Sequence, residues 1–236
     1  MKVMVFGASG GIGSALVKQL ADRQDVDQVF AGSRQAVLFE GAKVQSFSFD
    51  LADETSIKSA FSMVEGPLDM VLIATGVLSN DQGLYPEKSL RDLDADRLGQ
   101  YFMLNTIGPS LIMKYALARL NRKHWSLLAA FSARVGSVSD NRLGGWYGYR
   151  ASKAALNMMI KCAAIETERK NKQACVIVLH PGTVDTTLSK PFQSNVPDHQ
   201  LFSPEKSAGK LLEVIFARSP KDTGRIFAWD GQEIQP

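Results

Sequence analysis

Val3-Met4-Val5-Phe6-Gly7-Ala8-Ser9-Gly10-Gly11-Ile12-Gly13 carries four apolar residues straight into a cluster of glycines near the start of the chain. The apolar run has no polar alternation, the pattern of a strand buried on both faces. From residue 11 to residue 23 the spacing of apolar positions becomes helical. Glycines between a strand and a helix expose backbone N–H groups and the positive helix end to an anion, above all a pyrophosphate. Gly7 permits the tight turn, Gly11 lets phosphate approach the backbone, and Gly13 lets the helix pack closely on the sheet. Together with Ser9, Gly10 and Ile12 they form the first candidate binding site. A plain turn has the same composition, but the place directly after an N-terminal strand favours phosphate binding.

The rest of the chain repeats this alternation. Strand-like runs fall at 3–6, 28–31, 43–49, 70–74, 126–131, 175–179 and 225–229. Helical patterns cover 11–23, 53–64, a long piece within 93–122, 149–170 and 204–217. The order predicts an α/β protein with a single Rossmann-type domain over 1–236, a doubly wound parallel sheet of about seven strands flanked by helices on both faces. The longest stretch without regular pattern, 183–203, reads as a substrate lid.

Composition agrees with a globular enzyme-sized domain and excludes several classes. The 236 residues are 45% hydrophobic and 22% charged, which excludes disorder and collagen-like repeats. A net charge of +3, spread along the chain, gives no basic stripe for nucleic acid. The two cysteines, Cys162 and Cys175, read as buried thiols, and His124, His180 and His199 lack metal-ligand spacing. No apolar stretch is long enough to span a membrane, so a cytoplasmic protein without a metal is expected.

Two further constellations carry chemistry. At the end of the second strand, where ribose preference is read, stand Ser33 and Arg34 with no carboxylate. Arg34 offers a donor fork suited to a 2′-phosphate, so NADP(H) is favoured over NAD(H) unless Arg34 is simply solvated. Tyr149-Arg150-Ala151-Ser152-Lys153 puts a phenol and an ammonium one helical turn apart. A cation about 4 Å away supplies roughly the 4 kcal/mol needed to bring a phenol to neutral pH. Taken alone, the pair also fits the border of an amphipathic helix.

The glycine loop, Tyr149-x-x-x-Lys153 and the overall length resemble the short-chain dehydrogenase/reductases of compact type, over essentially the whole chain. The stretch from Gly136-Ser137 to Ala155-Leu156-Asn157 and the ending Phe227-Ala228-Trp229-Asp230-Gly231 resemble the C-factor (cell–cell signalling) branch. The resemblance implies further roles. Asp50 and Leu51 would meet the adenine, Asn105 would hold a proton-relay water, and Pro181 and Gly182 would form the family's cofactor-binding Pro-Gly turn, with Val184 and Thr186 meeting the nicotinamide carboxamide. Ala74, Thr75 and Gly76 stand where the family has Asn-Ala-Gly, so only backbone remains for the asparagine's part. The family's serine aligns with Ala133; Ser132, Ser137 and a backbone N–H remain as donors to a substrate carbonyl, with Ser132 the choice made here. As its neighbour on a strand, Ser132 faces the site only if the backbone bulges.

The implied reaction is hydride transfer between NADP(H) and a small carbonyl or alcohol substrate, with Tyr149, Lys153, Asn105 and Ser132 catalytic. The alternative is a catalytically weak nucleotide-binding protein with a signalling or redox-sensing role. Trp146, Leu188, Phe192 and Phe202 suggest apolar pocket walls. A homodimer or homotetramer through 93–121 and 149–170 is implied by the family, and the helical spacing of Leu156, Met159, Ile160 and Ala163 fits such an interface or the chain's own core equally.

Overall fold

The computed structural model describes residues 1–194 and 196–236; Asn195, inside the expected lid, lies outside the described residues. The chain runs β1 (Lys2–Phe6), α1 (Gly11–Ala21), β2 (Gln28–Ser33), β3 (Val44–Ser48), α2 (Glu54–Ser62) and β4 (Met70–Ile73). It continues through α3 (Ala95–Phe102), a π-helical turn (Met103–Ile107), α4 (Gly108–Arg119), β5 (Ser126–Phe131) and α5 (Tyr147–Lys170). Then come β6 (Ala174–His180), β7 (Thr183–Val184), β8 (Leu201–Phe202), α6 (Pro204–Phe216) and β9 (Ile226–Ala228). Seven strands form one sheet in the order β3-β2-β1-β4-β5-β6-β9, every pair parallel. The order reverses between β1 and β4, which opens a crevice at their carboxyl ends.

Side-chain alternation on the strands divides the core in two. Val3, Val5, Leu127 and Ile177 pack with Leu16, Leu20, Leu211 and Ile215 of α1 and α6. On the other face Met4, Phe6, Val71, Leu128 and Val176 pack with Ile57, Phe61, Ile112, Leu156 and Ile160 of α2, α4 and α5. Burial on both faces is why these strands read as continuous apolar runs.

The long helix expected within 93–122 has a π-helical turn in it, for a local reason. Pro109 has no N–H to give to the carbonyl four residues back, that of Asn105, and its ring would press on that oxygen. The expected structureless stretch 183–203 contains a short parallel ladder, Thr183 to Leu201 and Val184 to Phe202, that ties its two ends together. Cys175 is buried in β6 as expected, whereas Cys162 is exposed on α5. No helix of the described residues is long and apolar enough to cross a membrane.

Candidate active site

The glycine turn lies where β1 meets α1. Gly7 has φ +95°, and a Cβ there would stand 2.8 Å from the Ala74 carbonyl oxygen. Its N–H and that of Ala8 donate to Gly32 O, pinning the turn to β2. Gly13 is more constrained still: a Cβ would come 2.1 Å from Gly7 O. Ser9 and Gly10 are exposed, Ile12 packs on the core, and the N–H groups of Gly11, Ile12 and Gly13 head α1 without a backbone partner among the described residues. Across the crevice, a Cβ on Gly11 would meet Thr186 Cγ2 at 2.8 Å. The turn thus fits a nucleotide pyrophosphate, with bare backbone on one side and Thr186 close on the other.

Further along the same edge, Ser33 is buried with its hydroxyl donating to Gln35 O, and Arg34 is exposed with no side-chain partner among the described residues. Asp50 Oδ1 accepts from Ala52 N–H, while Leu51 packs into the core against Gly108. Ala74 and Gly76 follow β4, and the buried Thr75 Oγ1 has no hydrogen-bond partner among the described residues. Gly182 has φ +80° with Phe202 and Trp229 at its back, Pro181 O accepts from Ser207, and Val184 is buried in β7.

Tyr149 and Lys153 sit in the first turns of α5, 6% and 3% exposed. Lys153 Nζ is 6.0 Å from the Tyr149 ring centre and donates to Phe131 O at 2.9 Å. A Cβ on Gly76 would lie 3.2 Å from that Nζ and 3.5 Å from Asn105 Oδ1, so Gly76, Lys153 and Asn105 meet at one point. Burial lowers the Lys153 ammonium to about 8 and pushes the Tyr149 phenol upward. The Asn105 amide is fully committed: Oδ1 accepts from Val77 N–H, and Nδ2 donates to Val77 O and to Ser152 Oγ. Ser152 Oγ in turn donates to Tyr149 O, so the π-helical turn is locked to the helix carrying the phenol.

The bulge that would bring Ser132 to the Tyr149 side is not formed. β5 runs to Phe131 without a bulge, and the Ser132 hydroxyl faces the Lys153 carbonyl at 3.5 Å beneath α5, while Ala133 packs with the Tyr149 cluster. Ser137 is also committed, donating to Gln235 O and accepting from Asp140 N–H. The Arg134 N–H donates to His180 Nδ1, whose ring burial holds at about 4, neutral at physiological pH. Around Tyr149 stand Leu78, Leu84, Tyr101, Trp146, Leu188 and Phe192. Phe202 instead packs on Trp229, outside that cluster.

The sequence matches the short chain dehydrogenase family over residues 1–197. The chain belongs to that family. Among its short chain dehydrogenase relatives is 1-hydroxy-2-glutathionyl-2-methyl-3-butene dehydrogenase of Rhodococcus sp. strain AD45, 30% identical over 99% of this chain and 98% of that one. The C-signal protein of Myxococcus xanthus is 31% identical over 74% of this chain and 96% of its own, in keeping with the C-factor resemblance. In fold it is similar to an NADPH-bound carbonyl reductase from chicken fatty liver, with TM-score 0.85 and 23% identity over 100% and 98% of the two chains. It is accordingly an oxidoreductase of the short chain dehydrogenase family.

Two groups near Tyr149 that the sequence does not mark are Glu87, which accepts from Gly148 N–H, and His180, which accepts from Arg134 N–H. A lone acid in Pro86-Glu87-Lys88 looks like any solvated loop, and nothing local marks it as buried.

Proposed function

We propose that this oxidoreductase transfers hydride between NADP(H) and a small carbonyl or alcohol substrate, with Tyr149 as general acid/base. The observation that carries the reading is the buried Tyr149–Lys153 pair beside Gly76, at the carboxyl edge of the sheet and next to the glycine turn. A reduced nicotinamide, when bound, supplies the hydride. Gly7, Gly10, Gly11 and Gly13 hold the pyrophosphate on bare backbone, and Arg34 meets the 2′-phosphate with an unpaired guanidinium. Tyr149 Oη holds the proton that a developing alkoxide takes. Lys153 brings a positive charge to the phenol and to the ribose, opposing the upward push of burial on Tyr149. Asn105 fixes the turn with its amide and offers a relay water its carbonyl, whose regular helical partner Pro109 removes. The segment 183–203 serves as lid, Leu188 and Phe192 closing over Tyr149. Loss of NADPH absorbance with a panel of aldehydes, ketones and quinones tests the reading. Tyr149→Phe should abolish turnover and leave NADPH affinity within about threefold. Arg34→Ala should cost about 2 kcal/mol in NADPH binding and little in NADH binding.

A second reading, a nucleotide-binding protein of weak turnover with a signalling or redox-sensing role, is favoured by Ala133. No side-chain hydroxyl stands there to polarise a substrate carbonyl, and losing one such donor costs about 10²–10³ in rate. The panel separates the two readings: NADPH binding without turnover of any carbonyl supports the second. A cytoplasmic place and a homodimer or homotetramer through α4 and α5 complete the proposal.

A further inference from the structure

The loop between β4 and α3 carries a buried acid that the reaction above does not use. Glu87 is 2% exposed. Its Oε2 accepts from Gly148 N–H at 3.0 Å, and its backbone carbonyl accepts from Trp146 N–H at 2.5 Å. Oε1 is buried with no hydrogen-bond partner among the described residues. Both donors belong to the start of α5, where the N-cap residue is Trp146 and no side chain of the helix's own segment caps it. Helix starts have unpaired N–H groups and a partial positive charge, so a carboxylate there satisfies both needs.

The approach is strained on both sides of the contact. Trp146 has φ 53°, the only positive φ outside glycine among the described residues, and follows Gly144 and Gly145 at φ 64° and 63°. A left-handed tryptophan persists only when its surroundings hold it. Gly148 lacks the Cβ that would stand 2.9 Å from Glu87 Oε1 and 2.5 Å from Tyr101 Cδ2. An Asp or Ser at 146 would be the ordinary cap and would bury no acid with a lone oxygen. Instead position 146 holds an indole packed edge-on to Phe192 and Tyr149, with ring centres 5.1 and 6.2 Å away. The chain keeps an aromatic over the phenol and takes its cap from a distant loop.

We infer that Glu87 is a positioning residue for Tyr149: by gripping Trp146 and Gly148, it fixes the turn of α5 from which the phenol projects. Tyr149 follows Gly148 directly, so any slackening of that turn moves the phenol before it moves the rest of α5. The inference rests on Tyr149 being the acid, and the experiment keeps the two apart.

The parent, Glu87→Ala, Glu87→Gln and Tyr149→Phe are compared by thermal melting, NADPH titration, turnover of 4-nitrobenzaldehyde, and amide hydrogen exchange along α5. Glu87→Ala should speed exchange at Gly148 and Tyr149 at least tenfold relative to the middle of α5. It should lower kcat at least tenfold with KM and NADPH affinity within about twofold. Glu87→Gln keeps an oxygen for Gly148 N–H and should restore kcat to within about threefold. If Glu87→Ala does not fold, Glu87→Asp, which draws the carboxylate back from Gly148 N–H by one methylene, should give the same loss of kcat. Unchanged kcat in either disrupting variant, or a Gln variant no better than Ala, overturns the inference. Turnover surviving in Tyr149→Phe overturns the acid assignment instead, while exchange at Gly148 still reports on the Glu87 cap.

Discussion

At the scale of single residues, the site is governed by burial more than by partner charges. Lys153 carries its ammonium at 3% exposure with one carbonyl partner, and burial brings it to about 8. Between pH 8 and 10.5 the unfolded chain still holds the proton that the folded chain has released. Unfolding therefore takes up a proton in that window, and the cofactor-free protein should gain stability as pH rises through it, on the order of 3 kcal/mol. Urea midpoints of the parent minus those of Lys153→Met, taken from pH 7 to 10.5, isolate this group. A flat difference would mean that Lys153 is well solvated in the folded chain. Just beyond β5, Ser132 and Ala133 face opposite sides of the chain, Ser132 toward the Lys153 carbonyl and Ala133 toward the Tyr149 cluster. Ala133→Ser puts a hydroxyl on the Tyr149 side and should raise turnover at least tenfold, whereas Ser132→Ala should change it less than threefold. The reverse ranking would return the carbonyl donor to Ser132.

At the scale of elements, what could be read from sequence is what local chemistry dictates. Val3 to Gly13 states strand, turn and helix in eleven residues, because the turn tolerates only glycine at its contacts. Gly13→Ala tests this: its Cβ would meet the Gly7 carbonyl oxygen at 2.1 Å, backbone that cannot swing aside. A loss of about 2 kcal/mol or more by urea unfolding is expected. Gly209→Ala in α6, where the nearest atom is the end of Gln19 at 3.5 Å, should gain roughly 0.5–1 kcal/mol from helix propensity. Equal effects at the two glycines would refute the close-packing account of the turn. Tyr149 and Lys153 could be paired from sequence because four residues make one helical turn, whereas Asn105 was reached only through the family resemblance. The start of α5 was not legible. It begins at Tyr147, two residues before the expected 149, because its cap comes from Glu87 some sixty positions away. The β7–β8 ladder was equally invisible, since two-residue strands leave no periodicity. Which of Ser132 and Ala133 faces Tyr149 depends on a bulge that leaves no mark in sequence, and the backbone makes none.

At the scale of the whole molecule, the parallel sheet gathers the glycine turn, Gly76, Ala133 and Gly182 at one edge, leaving the outer faces of α4 and α5 free of the chemistry. Those faces divide the residues singled out for an interface. Leu156 and Ile160, each 1% exposed, belong to the core of the single chain, while Met159 remains 42% exposed and Ala163 is partly covered. On a neighbouring stripe of α5, Met158 and Ile165, seven residues apart, are 62% and 44% exposed, and Ile107 at the head of α4 is 43% exposed. Between the two helices runs a groove lined by Ile107, Leu111, Leu117, Met159 and Ala163. Apolar side chains left outside a finished core are the kind that a second copy covers, and the family resemblance points to the same two helices. Light scattering at micromolar concentration should therefore give at least twice the chain mass of 25.8 kDa. Met159→Lys combined with Ile165→Lys should return the mass to that of one chain without lowering the melting temperature of the monomer, because neither side chain serves the core. A parent protein that weighs 25.8 kDa would refute the assembly, and an oligomer that survives both lysines would move the interface elsewhere.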